Sequence, residues 1–93
     1  MTLLTKDELA INLSALTGWK QEGKEIIKLY QLKDFAEALA FVNKVGAEAE
    51  KMDHHPDILI HSWNKVKITI STHSEGGITE KDFQLAQIIE GLK

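Results

Sequence analysis

All four histidines of this chain lie between positions 54 and 73, and they are the residues best suited to proton-transfer chemistry. His54 and His55 form an adjacent pair directly before Pro56, and His73 follows a segment of alternating apolar and polar residues. An imidazole with a pKa of about 6.5 can donate or accept a proton at neutral pH. Two or three imidazoles around one pocket can therefore supply both a general acid and a general base.

Two other interpretations of the histidine pair remain open from the residues alone. The pair could be a solvated cap at a helix end, or it could join Asp53 and His73 as ligands of zinc or iron. The metal interpretation is disfavoured because the chain has no His-x-x-x-His pair and no cysteine, and because adjacent histidines rarely chelate one ion well. We predict that the protein holds no metal.

The composition excludes several classes of function. The chain has 93 residues, of which 43% are hydrophobic and 27% charged, as is typical of a single soluble domain spanning residues 1–93. Its net charge of −3 offers no basic excess for binding nucleic acid or an anionic membrane surface. No apolar run is long enough for a signal peptide or a membrane span, and without cysteine there is no disulfide or thiolate chemistry. We expect a cytoplasmic protein.

Three segments that could position the histidines have the period of a helix. The first is predicted over residues 6–16, and the second must end before Pro56, because a residue that precedes proline avoids the helical region. Gly46, inside the second helix, is predicted to allow close helix packing. Each helix has an N-cap residue and an acidic residue three positions later, a pairing that caps helices. These pairs are Thr5 with Glu8, Asp34 with Glu37, and Thr79 with Asp82.

Four short segments are predicted as strands and form two hairpins. They lie at residues 19–21, 25–32, 57–61 and 65–72. Together with the helices they give the order α-β-β-α-β-β-α. Because hairpins pair their strands antiparallel, we predict an α+β fold in which a four-stranded antiparallel sheet carries three helices on one face. His54 and His55 then lie where the second helix ends, and His73 lies where the last strand ends, which are places where a scaffold presents reactive groups.

The other face of this sheet is predicted to be open and partly apolar. The strand over residues 65–72 has β-branched residues on both faces, and an edge of such a strand left bare would be an aggregation risk. A chain of this length also has a thin core of its own. We therefore predict that a second copy of the chain covers the open face or pairs with the sheet edge, forming a homodimer or homotetramer.

An ordered set of short motifs resembles the signature of the pterin-4a-carbinolamine dehydratases. Each motif is weak alone, but the histidine doublet followed by Ser-Thr-His is specific, and the set spans about residues 18 to 90. The motifs are Gly18-Trp19, Lys33-Asp34-Phe35, Glu50-Lys51-Met52-Asp53-His54-His55-Pro56, Trp63-Asn64-Lys65-Val66, Ser71-Thr72-His73 and Asp82.

The resemblance implies a reaction and a site. Members of this family remove water from 4a-hydroxytetrahydropterin to give quinonoid dihydropterin, which recycles the pterin of aromatic amino-acid hydroxylases. They use no metal or organic cofactor, and they form dimers or tetramers. The resemblance implies that His54, His55 and His73 are the catalytic acid–base cluster. The implied substrate-binding residues are Asp53, His54, His55, Ser71, Thr72, His73 and Ser74.

Several further residues of the signature have weaker assignments. Glu50, Asp82 and Trp19 are predicted to support the site, although Asp82 also fits a helix cap and Trp19 a core position. Trp63 is more typical of a core or rim aromatic residue, and His61 is predicted to lie at the surface. The alternative function is a non-catalytic module of the same fold that binds a pterin or a protein.

Overall fold

The computed structural model describes residues 2–93 and confirms the predicted order of elements. Four strands form one antiparallel sheet with the spatial order β1-β2-β4-β3, so β4 is central and β1 and β3 are the edges. The elements are α1 (Lys6–Ser14), β1 (Lys20–Glu22), β2 (Glu25–Gln31), α2 (Phe35–Met52), β3 (Asp57–His61), β4 (Lys65–Ile70), a short 3-10 helix η1 (His73–Glu75) and α3 (Glu80–Glu90).

The helix starts predicted from the sequence are confirmed. The side chain of Thr5 accepts a hydrogen bond from the backbone N–H of Glu8, and the Asp34 side chain accepts one from Glu37. At the start of α3, the Asp82 carboxylate accepts the backbone N–H of Thr79 at 2.8 Å. Such caps depend on residues only three positions apart. They can therefore be predicted from the sequence without knowledge of the fold.

The core lies between the sheet and the helices. On the inner face of the sheet, the alternate residues Val66, Ile68 and Ile70 of β4 are fully buried, as their period of two predicted. Ile26 and Tyr30 of β2 lie on the same face and are buried with them, because β2 pairs with β4. From the helices, the buried core residues include Ala38, Phe41, Val45, Ala49, Phe83, Leu85, Ala86 and Ile89.

Three predictions about the sheet and α2 are wrong. The strand predicted to reach Thr72 ends at Ile70, because the chain turns into η1 immediately afterwards. That strand also has no bare edge, since β2 and β3 pair with it on either side. Gly46 does not serve close helix packing, because a Cβ atom placed on it would meet no other atom within 4 Å.

The outer face of the sheet carries apolar side chains. Leu29 of β2 and Leu59 of β3 are more than half exposed, and both pair in register with Lys67 of β4. The three side chains therefore form one row across the sheet, since directly paired residues point to the same face. Within the described residues 2–93, no helix is both long and apolar enough to cross a membrane.

Candidate active site

The end of α2 sets the directions of the two adjacent histidines. Asp53 adopts the left-handed conformation, with φ 52° and ψ 43°. The backbone N–H groups of Asp53 and His54 donate to the carbonyls of Glu50 and Ala49 at 3.1 Å each, which is the Schellman pattern of helix termination. After this turn the two adjacent histidines have different surroundings. His54 is buried, whereas His55 is exposed.

His54 contacts a carboxylate that is completely buried. Its Nε2 atom lies 2.5 Å from Oδ1 of Asp82, and Asp82 has no exposed surface. The other carboxylate oxygen, Oδ2, accepts the hydroxyl of Thr72 at 2.9 Å and the backbone N–H of Thr79 at 2.8 Å. A buried charge without partners is costly, and here both oxygens are hydrogen-bonded. Asp82 therefore ties the end of α2 to the start of α3 and the end of β4.

His55 and His73 are exposed and face solvent more directly. The Nε2 atom of His55 lies 2.9 Å from Oε2 of Glu50, but both side chains are more than half exposed, so this pair adds little stability. His73 begins η1, and the loop that contains it is closed by paired hydrogen bonds between Thr72 and Gly77. The closed loop fixes the position of the His73 backbone beside the cleft that the other histidines line.

One cleft collects all three histidines that the sequence singled out. It has a volume of about 430 Å³. Every residue predicted to bind substrate borders it, and so do two residues that the sequence analysis missed, Glu75 and Lys81. Glu75 lies in η1, two residues after His73, whereas Lys81 lies in the first turn of α3, which the hydrogen bond from Thr72 to Asp82 holds beside the end of β4. The predicted residues at the cleft are Asp53, His54, His55, Ser71, Thr72, His73 and Ser74.

The three predicted supporting residues have different positions. Asp82 lies behind the cleft and contacts His54, and Glu50 contacts His55 from the exposed side. Trp19 does not reach the site, because it is buried in the core and its Nε1 donates to Glu90 at 3.3 Å. The structure therefore does not place Trp19 where it could support the cleft, which is the role that we predicted for it.

The remaining signature aromatic residue and the fourth histidine also lie away from the cleft. Trp63 is exposed at the tip of the β3–β4 hairpin, where Ser62 and Trp63 both have positive φ angles. His61 is only half-buried on the outer face of the sheet, and its Nδ1 lies 3.2 Å from the hydroxyl of Ser62. His61 is therefore less exposed than we predicted for a surface residue, and it does not border the cleft.

A second polar cluster lies at the opposite end of α3. Glu90 accepts hydrogen bonds from the Lys28 ammonium at 2.8 Å, the Tyr30 hydroxyl and the Trp19 indole. Burial raises the pKa of Glu90, but these hydrogen bonds and the Lys28 charge outweigh it, so the pKa lies below its usual value. Burial, followed by the Glu90 carboxylate, raises the pKa of Tyr30 well above its usual range.

The arrangement of the cleft suits acid–base chemistry more than metal binding. Across residues 2–93, no group of three or more His, Cys, Asp or Glu side chains is arranged to hold a metal ion. His54 is held by a buried carboxylate, whereas His55 and His73 remain accessible at the rim. One oriented imidazole and two accessible ones are suited to moving protons to and from a bound molecule.

Curated relatives are similar over nearly the whole chain. Proteins of Trichodesmium erythraeum, Nostoc sp. and Sulfolobus acidocaldarius are 46%, 49% and 41% identical over 90 residues each, which is 97% of this chain and 96%, 96% and 98% of theirs. Each is described as a "Putative pterin-4-alpha-carbinolamine dehydratase".

Two solved structures are also similar. A protein of Brucella melitensis described as a transcriptional coactivator/pterin dehydratase is 35% identical, with a TM-score of 0.93 and 98% of both chains covered. A pterin dehydratase-like protein described as a RuBisCO assembly factor in the alpha-carboxysome is 24% identical, with a TM-score of 0.67 over 81% of this chain and 88% of that one, and shares the fold alone. The profile of the family described as "Pterin 4 alpha carbinolamine dehydratase" matches residues 2–92. The chain therefore belongs to the pterin 4 alpha carbinolamine dehydratase family.

Proposed function

We propose that this protein is a cytoplasmic hydro-lyase that removes water from 4a-hydroxytetrahydropterin, without a metal or organic cofactor, in the recycling of tetrahydropterin. The observation that carries the proposal is the convergence of His54, His55 and His73 on one cleft, with His54 held by the buried Asp82. Membership of the family supports the same reaction.

The proposed reaction needs one proton to arrive and one to leave. The substrate carries a hydroxyl group on C4a beside the N5–H bond. When a base removes the N5 proton, the electron pair of that bond forms the C4a=N5 double bond. The C4a–O bond breaks with its electron pair on the oxygen, which takes up a proton and departs as water. Acid–base assistance of this kind is typically worth about 10²- to 10⁴-fold in rate.

In this mechanism His54 is the base. Its Nε2 faces the carboxylate of Asp82, so Nδ1 is the nitrogen that remains to accept a proton, and Asp82 stabilises the imidazolium that results. His55 or His73, which are both exposed at the cleft, then protonates the departing hydroxyl. The different burial of the histidines supports this division of roles.

The rest of the cleft fits a flat heterocycle with a polar edge. Asp53, Ser71 and Ser74, whose side chains carry oxygen atoms, are among the residues that border the cleft. Recognition of a small molecule usually combines such a few placed polar groups with the walls of a cleft. Lys81, which also borders the cleft, has an ammonium group that can donate a hydrogen bond to a carbonyl oxygen of the pterin.

The decisive experiment measures carbinolamine dehydration with and without the protein. The substrate would be generated in place by a pterin-dependent hydroxylase, and the absorbance of the quinonoid product would be followed with time. The proposal expects a rate that rises in proportion to protein concentration. A protein that binds dihydropterin in a calorimeter but leaves the rate at its uncatalysed value would support the alternative of a non-catalytic module. That alternative is raised by the assembly factor that shares this fold.

We also propose that the protein is a homodimer or homotetramer. The outer face of the sheet exposes Leu29 and Leu59 on either side of Lys67, and β3 is an edge strand of the sheet. A second copy would cover the two exposed leucines or continue the sheet beyond β3. Sedimentation equilibrium at micromolar concentration should give two or four times the chain mass of 10.4 kDa. A single species at that mass would contradict the proposal.

A further inference from the structure

We propose that Thr72 is a positioning residue that selects the tautomer of His54, rather than a residue that binds the substrate. The inference rests on the proposed function for its catalytic consequence. Thr72 is only 6% exposed, although it borders the cleft. Its hydroxyl oxygen lies 2.9 Å from Oδ2 of Asp82 and 2.7 Å from the hydroxyl of Thr79, so both neighbours are protein groups behind the cleft.

The direction of these hydrogen bonds follows from the number of protons available. An ionised carboxylate only accepts, so the Thr72 hydroxyl donates its one proton to Asp82. Thr72 must then accept from the Thr79 hydroxyl in their 2.7 Å contact. The backbone N–H of Thr79 also donates to Oδ2 of Asp82. Two donors thus occupy Oδ2, and Oδ1 is left for His54.

This series of hydrogen bonds acts on His54 through the carboxylate of Asp82. Because Oδ2 of Asp82 accepts from two donors, the carboxylate acts as an acceptor, and the short contact at Oδ1 requires a proton on Nε2 of His54. A neutral imidazole has only one N–H, so the other nitrogen, Nδ1, must carry the lone pair. Through Asp82, Thr72 therefore helps to set which nitrogen of His54 can act as a base, without touching the substrate.

The structure offers a clean substitution for testing this role. Thr72→Val removes the hydroxyl but keeps the shape, and the backbone N–H that closes the loop to Gly77 at 2.8 Å is unchanged. Thr72→Ser keeps the hydroxyl and removes a methyl group. Thr69→Val is the matched control, because Thr69 is a half-buried threonine of β4 that lies outside the cleft and the Asp82 cluster.

The first measurement is the ¹⁵N spectrum of the His54 ring in the protein without substrate, in alkaline buffer. Wild type, Thr72→Ser and Thr69→Val should each show a single tautomer with the proton on Nε2. Thr72→Val should show a mixture with a signal from protonated Nδ1. This readout does not depend on activity, so it tests the inference even if the protein dehydrates no pterin. A single Nε2–H tautomer in Thr72→Val would overturn the inference.

The second measurement is the dehydration rate as a function of substrate concentration and pH. Thr72→Val should lower kcat about tenfold, the effect of losing one hydrogen bond to a charged group, with KM changed less than twofold. Thr72→Ser should restore most of kcat, and Thr69→Val should match wild type. A rise in KM at unchanged kcat would instead make Thr72 a substrate contact and would overturn the inference, as would equal loss in Thr72→Ser and Thr72→Val.

Discussion

The two ends of α3 carry two polar clusters that are built from similar groups but are arranged for different purposes. At its start, Asp82 is completely buried and accepts from Thr72, Thr79 and His54. At its end, Glu90 accepts from Lys28, Tyr30 and Trp19. Through one carboxylate each, the Asp82 cluster joins α3 to the end of β4 and the Glu90 cluster joins α3 to β2.

The clusters differ in what their outermost member can reach. In the Glu90 cluster all three donors are hydrogen-bonded to the carboxylate, and the aromatic ones belong to the core. In the Asp82 cluster the outermost member is an imidazole that borders a cleft and has a second nitrogen. A carboxylate that holds an imidazole at a cleft can orient that imidazole for proton transfer. A carboxylate whose donors are a lysine and core aromatic residues only holds two elements of the fold together.

The largest expected difference between the clusters is in activity. His54→Gln keeps an N–H donor for Asp82 but cannot exchange a proton, so it should lower kcat by about 10²-fold or more. Glu90→Gln, which alters the other cluster, should retain at least half of the wild-type kcat. The dehydration assay measures both, with circular dichroism as the check on folding. Comparable losses in the two variants would mean that the clusters do not differ in function.

A second activity test concerns the exposed histidines. His73→Ala and His55→Ala remove accessible imidazoles that have no role in the core, so both should remain as stable as wild type. At least one should lose about 10²-fold in kcat, because one of them is the proposed acid. Thermal unfolding and the dehydration assay together check this. If both retain more than half of the activity, the acid must be sought elsewhere in the cleft.

The Glu90 cluster should show its effect in stability. Glu90→Gln weakens hydrogen bonds from Lys28 and Tyr30 that are charge-assisted, so it should lower the free energy of unfolding by about 1–2 kcal/mol. Urea unfolding measures the change. Glu48→Gln is the matched control, because Glu48 pairs with the exposed Lys51 and such surface pairs contribute little. If Glu90→Gln is as stable as wild type, the Glu90 hydrogen bonds do not stabilise the fold, and only the apolar core holds α3 in place.

The same variant should change how stability depends on pH. The folded-state pKa of Glu90 lies below its unfolded value of 4.5, so its ionised form stabilises the fold above that pH. This contribution is lost as the pH falls through the folded-state pKa. The difference in unfolding free energy between wild type and Glu90→Gln should therefore shrink below about pH 4.5. A difference that stays constant from pH 7 to pH 3 would contradict the shift.

The smallest effect is expected at a residue that belongs to neither cluster. Gly46 lies in the middle of α2, and a Cβ atom there meets nothing within 4 Å. Gly46→Ala should therefore stabilise the protein by about 0.5–1 kcal/mol through helix propensity and leave kcat unchanged. Urea unfolding and the dehydration assay test it. Destabilisation would show that this surface of α2 needs a glycine, for example where a second copy of the chain packs against it.

The amino-acid sequence by itself determined the features that depend on neighbours along the chain. The caps at Thr5 and Asp34 involve residues three positions apart, and the burial of Val66, Ile68 and Ile70 follows from the alternation of a strand. The order α-β-β-α-β-β-α follows from such local patterns. The histidine doublet and the Ser-Thr-His motif also marked the segments that border the cleft.

Only the tertiary structure decided the features that depend on pairing between distant segments. The place of β4 in the centre of the sheet follows from its pairing with both β2 and β3, and local alternation is the same for an edge strand and a central strand. Trp19 fits a site or a core equally well by type, and its contact with Glu90, 71 positions away, places it in the core. The family resemblance implied that Thr72 binds the substrate together with its neighbours Ser71 and His73. Its hydroxyl is turned to Asp82, because the fold brings α3 against the end of β4.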